Sequence, residues 1–269
     1  MKIMVIGSTG MLGSDVGKHL LAHGFDVTLT HRKEAFKYEK YGLKFDILTN
    51  DIENLFEDRC DYYINCAGSI KQKISEENKD DILVNAVFPW QLADMCEKFG
   101  SRLIHITTDC VFSGQKGKYT EEDVHDCLDF YGKTKSLGEP TNAMVIRTSI
   151  IGEELSGKVS LIEWAKSNAG KNVRGFVNHF WNGVTTLQYA KICQNIVEND
   201  YYQKGKFHVF SPEDVTKHDL LEIVSNKFDL NLEIQSYRTP MDVDRTLRSN
   251  NRLVEKLKIP SIDAQVEEL

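Results

Sequence analysis

Tyr131 and Lys135 stand four residues apart in Tyr131-Gly132-Lys133-Thr134-Lys135. On a helix that spacing puts both on one face, one turn apart. A free phenol titrates near about 10 and is a sluggish acid or base at neutral pH, but a nearby ammonium favours the phenolate. The pair is therefore expected to handle a proton, with Tyr131 giving it to a substrate oxygen. A lone Tyr-x-x-x-Lys decorates many ordinary helices, so its meaning depends on what precedes it. Here that is Ile106-Thr107-Thr108-Asp109-Cys110-Val111-Phe112-Ser113-Gly114. An apolar strand ends in hydroxyl residues, at the carboxyl edge where open α/β sheets bind ligands. Thr108 can hydrogen-bond the same oxygen that Tyr131 protonates.

These groups need a scaffold, and the N-terminus supplies one. The strand-like Lys2–Ile6 runs into Gly7-Ser8-Thr9-Gly10-Met11-Leu12-Gly13 and then a helix. Such glycines allow a tight turn, a close approach of backbone to a pyrophosphate, and close helix–strand packing. The helix N-terminus offers free N–H groups and the positive end of its dipole. Gly7, Thr9, Gly10, Met11, Leu12 and Gly13 are thus expected to hold a dinucleotide. At the end of the second strand, where a carboxylate usually meets the ribose of NAD, the chain reads Thr30-His31-Arg32-Lys33. A cationic corner suits a 2′-phosphate, so His31, Arg32 and Lys33 favour NADPH over NADH.

The remaining elements alternate. Strands are expected at Asp26–Thr30, Leu43–Ile47, Asp61–Asn65, Arg102–Thr107 and Ala143–Arg147, and helices at Asp15–His23, Lys79–Phe99 and Tyr131–Gly138. That order predicts an α/β fold, a Rossmann-type doubly wound parallel sheet. After Gly152 the rhythm changes. Helices are expected at Leu161–Ala169 and Leu187–Glu198, a strand at Lys206–Phe210, a Thr216/Asp219 capping box opening a helix to about Phe228, and a strand at Leu232–Ser236. Residues 1–152 are read as a dinucleotide domain carrying Thr108, Tyr131 and Lys135. Residues 153–269 are read as a small α/β substrate lobe mixed with late elements of the main fold.

Composition narrows the function. The chain has 269 residues and a formal net charge of -7, which disfavours nucleic acid. No basic and apolar leader or membrane-length apolar run is present, so a cytoplasmic protein without a membrane partner is expected. The six cysteines form no CxxC pair and the eight histidines show no ligand spacing. Reduced thiols and no metal are expected.

Together the glycine loop, Asn65-Cys66-Ala67-Gly68, Thr108, Tyr131/Lys135 and Arg147-Thr148 resemble the extended short-chain dehydrogenase/reductase family, over most of residues 1–152. Within it, Thr107–Gly114, Gly117-Lys118-Tyr119-Thr120-Glu121 and Tyr131–Glu139 are similar to the dTDP-4-dehydrorhamnose reductases. The resemblance implies that Asp46 and Ile47 flank the adenine, that Cys66, Ala67 and Gly68 line the cofactor channel, and that Asn85 braces the central helix. It also places Thr107, Arg147, Thr148 and Ser149 near the cofactor. It implies a nucleotide-diphosphate sugar substrate bearing a 4-keto-6-deoxyhexose, reduced with NAD(P)H for a surface polysaccharide or glycan precursor. Two departures stand out. Members that dehydrate sugars carry Asp-Glu after the Thr, and this chain has Asp109-Cys110, so 4,6-dehydration is not expected. Cys110 also replaces the Tyr usual in the rhamnose reductases. An N-acetylated UDP-linked sugar fits as well as a rhamnose precursor.

Thr108, Asp109, Val111, Trp181 and Arg245 are the expected substrate contacts, Trp181 by stacking and Arg245 on a diphosphate. Two other functions use the same fold. One is a nucleotide-sugar epimerase that recycles its cofactor; the other is a non-catalytic NADP(H)-binding regulatory protein. A homodimer is compatible with each.

Overall fold

The computed structural model describes residues 1–32, 39–155 and 159–269. The first half contains β1 (Lys2–Ile6), α1 (Met11–Ala22), β2 (Asp26–His31), β3 (Gly42–Lys44), β4 (Tyr62–Asn65), α2 (Lys79–Ile82), α3 (Phe88–Phe99), β5 (Arg102–Thr108), α4 (Phe130–Leu137) and β6 (Met144–Thr148). Then follow β7 (Ile150–Ile151), α5 (Leu161–Ser167), β8 (Asn172–Phe176), β9 (His179–Trp181), β10 (Val184–Thr185), α6 (Thr186–Glu198), β11 (Gly205–His208), β12 (Val215–Thr216), α7 (Lys217–Lys227), β13 (Glu233–Tyr237), β14 (Val243–Asp244), α8 (Leu253–Leu257) and α9 (Ile262–Glu267).

Seven strands form one parallel sheet in the order β11-β6-β5-β4-β1-β2-β3. Its first six strands follow the doubly wound dinucleotide order. Successive side chains of a strand point to opposite faces, and a parallel sheet buries both. β1 shows this directly. Ile3 and Val5 enter one core with Val16 and Leu20 of α1 and Tyr189, Ile192 and Ile196 of α6. Met4 and Ile6 enter the other with Leu92, Ala93 and Cys96 of α3.

Several expected boundaries move for physical reasons. α1 starts at Met11, directly after Gly10, because its apolar stripe already begins at Leu12. β3 ends at Lys44: one residue later the Phe45 amide still reaches His31 O (2.9 Å), and Asp46 then caps its own turn by accepting from Leu48 N (3.1 Å). The expected helix Lys79–Phe99 contains a π-helical turn, Leu83–Val87. Such single turns are frequent at functional sites, and this one carries Asn85. Gly100 closes α3 in the left-handed conformation (φ 71°), the C-terminal stop that glycine makes without strain.

Beyond residue 152 the chain divides its elements. α6 packs against α1, and β11 pairs with β6 at the edge of the main sheet. Leu253 and Leu257 of α8 join the core under α1 and α6, and most of the remainder forms a lobe of short sheets, β12-β9-β14 and β13-β8. α7 opens with the expected capping box, Thr216 against Asp219. The lobe has its own cores, one around Ile151, Trp181, Leu220, Ile262 and Val266, the other around Ile162, Leu221, Val224 and Leu230. No helix among the described residues is long and apolar enough to cross a membrane, and the six cysteines are unpaired.

Candidate active site

The loop after β1 is built for a close backbone approach. Gly7 lies at φ +80°, which an L side chain adopts only with strain, and a Cβ there would lie 2.9 Å from the Ala67 backbone. A Cβ on Gly13 would collide with the Gly7 carbonyl. The loop is pinned to β2, where the Gly7 amide donates to Thr30 Oγ1 (2.9 Å) and Ser8 Oγ donates to Thr30 O (2.8 Å). Gly10, the N-cap of α1, has no side chain to cap the helix, so the first amides remain for an anion. Thr9 and Gly10 are exposed. A dinucleotide fits this cradle. Gly13→Ala is expected to cost about 1–3 kcal/mol by overpacking and to weaken NADPH binding at least about tenfold, measurable by quenching of NADPH fluorescence.

Across the sheet, Thr108 ends β5, and Tyr131 and Lys135 occupy adjacent turns of α4. Asp129 caps α4 by accepting from Gly132 N (2.9 Å). A Cβ on Gly132 would collide with the Cys110 carbonyl and meet Cys127 Sγ at 2.7 Å, so α4 lies hard against the turn after β5. Tyr131 is half-buried. Burial pushes its phenol up, Cys110 adds to this, and the Thr108 side chain pulls it back. Burial dominates, and the phenol is held protonated.

Lys135 is buried, and burial lowers its ammonium to about 8, against the attraction of Glu139. Its Nζ donates to Ile106 O (3.3 Å). Because the folded pKa lies below the ordinary 10.5, the stability penalty is fully present below about pH 8 and disappears as pH rises toward 10.5. Lys135→Met should thus melt higher than the parent protein at pH 7, by roughly 2–4 °C per kcal/mol recovered, with the gap closing above pH 8. A scanning-calorimetry series across that pH range tests it; a lower melting point at pH 7 would contradict it.

The π-helical turn positions α4. Asn85 Nδ2 donates to Ser69 O (3.1 Å) and Thr134 Oγ1 (3.3 Å), and Asn85 Oδ1 accepts from Ser69 N (2.8 Å). A Cβ on Gly68 would lie 3.7 Å from Lys135 Nζ, which puts the Cys66-Ala67-Gly68 segment beside the lysine. Thr107 is buried, with a hydroxyl that has no hydrogen-bond partner.

Other expected contacts are placed as follows. Arg32 is exposed and His31 half-buried beside the cradle, while Lys33 lies outside the described residues. Met11 is half-buried, whereas Leu12 turns its side chain into the core, leaving only backbone for a ligand. Asp46 and Ile47 lie past β3, with Ile47 packed on the core. Thr148 is buried, donating to Ser149 O (3.2 Å).

Arg147 is a correction. It is sealed in the fold, donating from Nε to Glu139 Oε1 (2.8 Å) and from Nη2 to Glu139 Oε2 (2.7 Å), with Nη1 3.2 Å from His208 Nε2. The Val111 side chain is likewise fully buried, in a cluster with Phe112, Tyr119 and Leu247, leaving only its backbone for a substrate.

Asp109 is buried and accepts from Thr108 Oγ1 (3.1 Å), while Thr108 Oγ1 accepts from Cys110 N (3.1 Å). Trp181 is mostly core, yet its Nε1 finds no acceptor. Arg245 donates from Nε to Phe112 O (2.9 Å). The structure adds Lys217, at the start of α7, whose Nζ lies 5.0 Å from the centre of the Trp181 ring. Nothing local in the sequence marks it, because its neighbours Trp181 and Arg245 come from other segments, 36 and 28 residues away.

A family model described as RmlD substrate binding domain matches residues 1–259. Methionine adenosyltransferase 2 subunit beta of Bos taurus is 27% identical over 247 residues, 85% of this chain and 72% of that protein. The probable low-salt glycan biosynthesis reductase Agl14 of Haloferax volcanii is 28% identical over 261 residues, 91% and 86% of the two chains. Among solved structures, a dTDP-4-dehydrorhamnose reductase from Clostridium acetobutylicum superposes with a TM-score of 0.78 at 21% identity, covering 100% of this chain and 98% of that one. The dTDP-4-dehydrorhamnose reductase of Bacillus anthracis in complex with NADP gives 0.81 at 17% identity, covering 99% and 97%.

Proposed function

We propose, from the premise that this chain belongs to the RmlD substrate-binding-domain family, that it is an NADPH-dependent oxidoreductase acting on a nucleotide-linked 4-keto-6-deoxyhexose. The observation that carries this is the convergence of Thr108, Tyr131 and the buried Lys135 at one end of the sheet that also holds the glycine cradle. NADPH would be held by the loop from Gly7 to Gly13, by the corner at His31 and Arg32, and by Lys135, and it supplies a hydride when bound. A solved relative with NADP and a relative named as a glycan biosynthesis reductase support the same choice.

The chain's own chemistry is a proton transfer with orientation. The Tyr131 O–H bond breaks and its proton goes to the substrate carbonyl oxygen as charge develops there. Thr108 has one hydrogen, held by Asp109 Oδ1. Turning it to the same oxygen adds a second donor where the charge forms. Residues 153–269 would supply Trp181, Lys217 and Arg245 on the sugar-nucleotide side. The product is a 6-deoxysugar nucleotide, of the kind consumed in building glycans.

NADPH oxidation against a panel of dTDP- and UDP-linked 4-keto-6-deoxy sugars, with NMR of any product, tests the proposal. NADPH consumed in proportion to product supports a reductase; product without net NADPH loss supports the epimerase. Failure on every sugar overturns the substrate class. A second function, a non-catalytic subunit, is favoured by the similarity to methionine adenosyltransferase 2 subunit beta over 85% of the chain. It predicts that a Tyr131→Phe protein retains full biological activity.

A further inference from the structure

Two cations meet beside the reactive hydroxyls without an ion pair between them and any acid. Lys217 is half-buried, and its Nζ lies over the Trp181 indole, 5.0 Å from the ring centre. It makes no hydrogen bond or salt bridge among the described residues. Arg245 spends only Nε, on the Phe112 carbonyl (2.9 Å), and its terminal nitrogens likewise make no hydrogen bond or ion pair among the described residues. The two act on each other, and both act on Asp109 and on His179. Asp109 is the acid with the largest effect on Lys217, but its Oδ1 is engaged by Thr108 Oγ1. The Trp181 indole is 3% exposed and its N–H has no acceptor.

A desolvated ammonium and a half-committed guanidinium together need an anion. A single carboxylate already shared with a threonine does not satisfy them. A Cβ on Gly114 would lie 3.2 Å from Arg245 Cγ. The arginine stem is thus packed against the loop that follows Thr108, and the bond from Nε to the Phe112 carbonyl holds the guanidinium on the same loop.

We propose that Lys217 is a substrate-binding residue that, with Arg245, seats the diphosphate of the nucleotide-linked substrate. The assignment rests on the nucleotide-sugar substrate proposed above, and it makes α7, an element of the C-terminal lobe, part of the recognition surface.

The test is binding, read by intrinsic tryptophan fluorescence and calorimetry with dTDP, UDP and inorganic pyrophosphate as probes. Lys217→Met should weaken dTDP or UDP binding at least about tenfold and flatten its dependence on salt. Lys217→Arg should restore most of both, and NADPH binding should be unchanged in each variant. Unchanged nucleotide binding in Lys217→Met, with an unchanged salt dependence, would overturn the role of Lys217 while leaving the reductase intact. A parent protein that binds NADPH but none of the three probes would overturn both this assignment and the proposed substrate class. Thermal melts show that each variant is folded, and Lys204→Met, which removes a surface partner of Glu97, should bind as the parent does.

Discussion

Tyr131→Phe is expected to lower turnover by about 10²–10⁴-fold, the usual contribution of a positioned general acid, while NADPH binding stays within about twofold of the parent. The substitution deletes one oxygen and keeps the ring, so packing against Cys110 and the end of β5 survives. The phenol is the group whose loss matters because burial keeps it protonated. Throughout the neutral range it therefore starts with the proton that reduction requires. A rate that fell between pH 6 and 8 would have to be traced to another group, and Lys135, lowered to about 8, is the one whose charge changes nearby. As pH rises through about 8 the ammonium is lost, and with it the charge that steadies a developing phenolate, so the variant and the parent should converge only above that pH. Stopped-flow measurement of NADPH oxidation, with fluorescence titration of NADPH on the same samples, separates the two quantities. Turnover within about threefold of the parent would remove Tyr131 from the chemistry.

The parts of this site that were legible in the sequence are those fixed by local spacing. The glycines between β1 and α1, the hydroxyls ending β5 and the four-residue step from Tyr131 to Lys135 lie within single strand–turn–helix units, where pattern and position are nearly the same thing. Arg147 was misread because adjacency in the chain is not a direction. Within β6, Met144 and Ile146 face the core under α1 and α6. Period two sends Val145 and Arg147 to the opposite side, and there Glu139 waits at the end of α4. Counting from the buried apolar residues would have shown that parity. Val111 shows the limit: a three-residue 3₁₀ turn (Asp109–Val111) rotates it into a cluster formed with Leu247, and no local pattern encodes that contact. Lys217 was invisible for a related reason. Its helix start was legible as a capping box, but its partners Asp109, Trp181 and Arg245 are supplied by three distant segments. The helical spacing says that a lysine is close to a tyrosine and says nothing of how dry both are.

Glu139→Ala is expected to destabilise the protein by about 3–5 kcal/mol, the range for removing one partner of a buried ion pair. The side chains of Glu139 and Arg147 are 2% and 1% exposed, and two parallel N–H···O bonds join them. Without the carboxylate, the guanidinium would face His208 Nε2 at 3.2 Å, with Lys206 Nζ, 3.8 Å from Glu139 Oε2 in the parent, adding like charge. His125 gives no compensation: burial lowers its imidazole to about 4, so it stays neutral at pH 7. The melting temperature should fall by roughly 6–20 °C at 2–4 °C per kcal/mol. The double variant Glu139→Leu with Arg147→Met provides the contrast, because replacing both charges with apolar groups of similar volume removes the desolvation that a lone guanidinium suffers. It should recover most of the loss. Urea unfolding midpoints of the three proteins decide the matter: a double variant no more stable than Glu139→Ala would mean that packing volume, and not the stranded charge, accounts for the loss. Glu139 also holds the Lys135 ammonium up by charge. In the double variant that support is gone, so its activity should begin to fall at lower pH than in the parent even though its fold is restored. A stability and a pH profile that move independently in one protein would separate the structural role of this pair from its influence on Lys135.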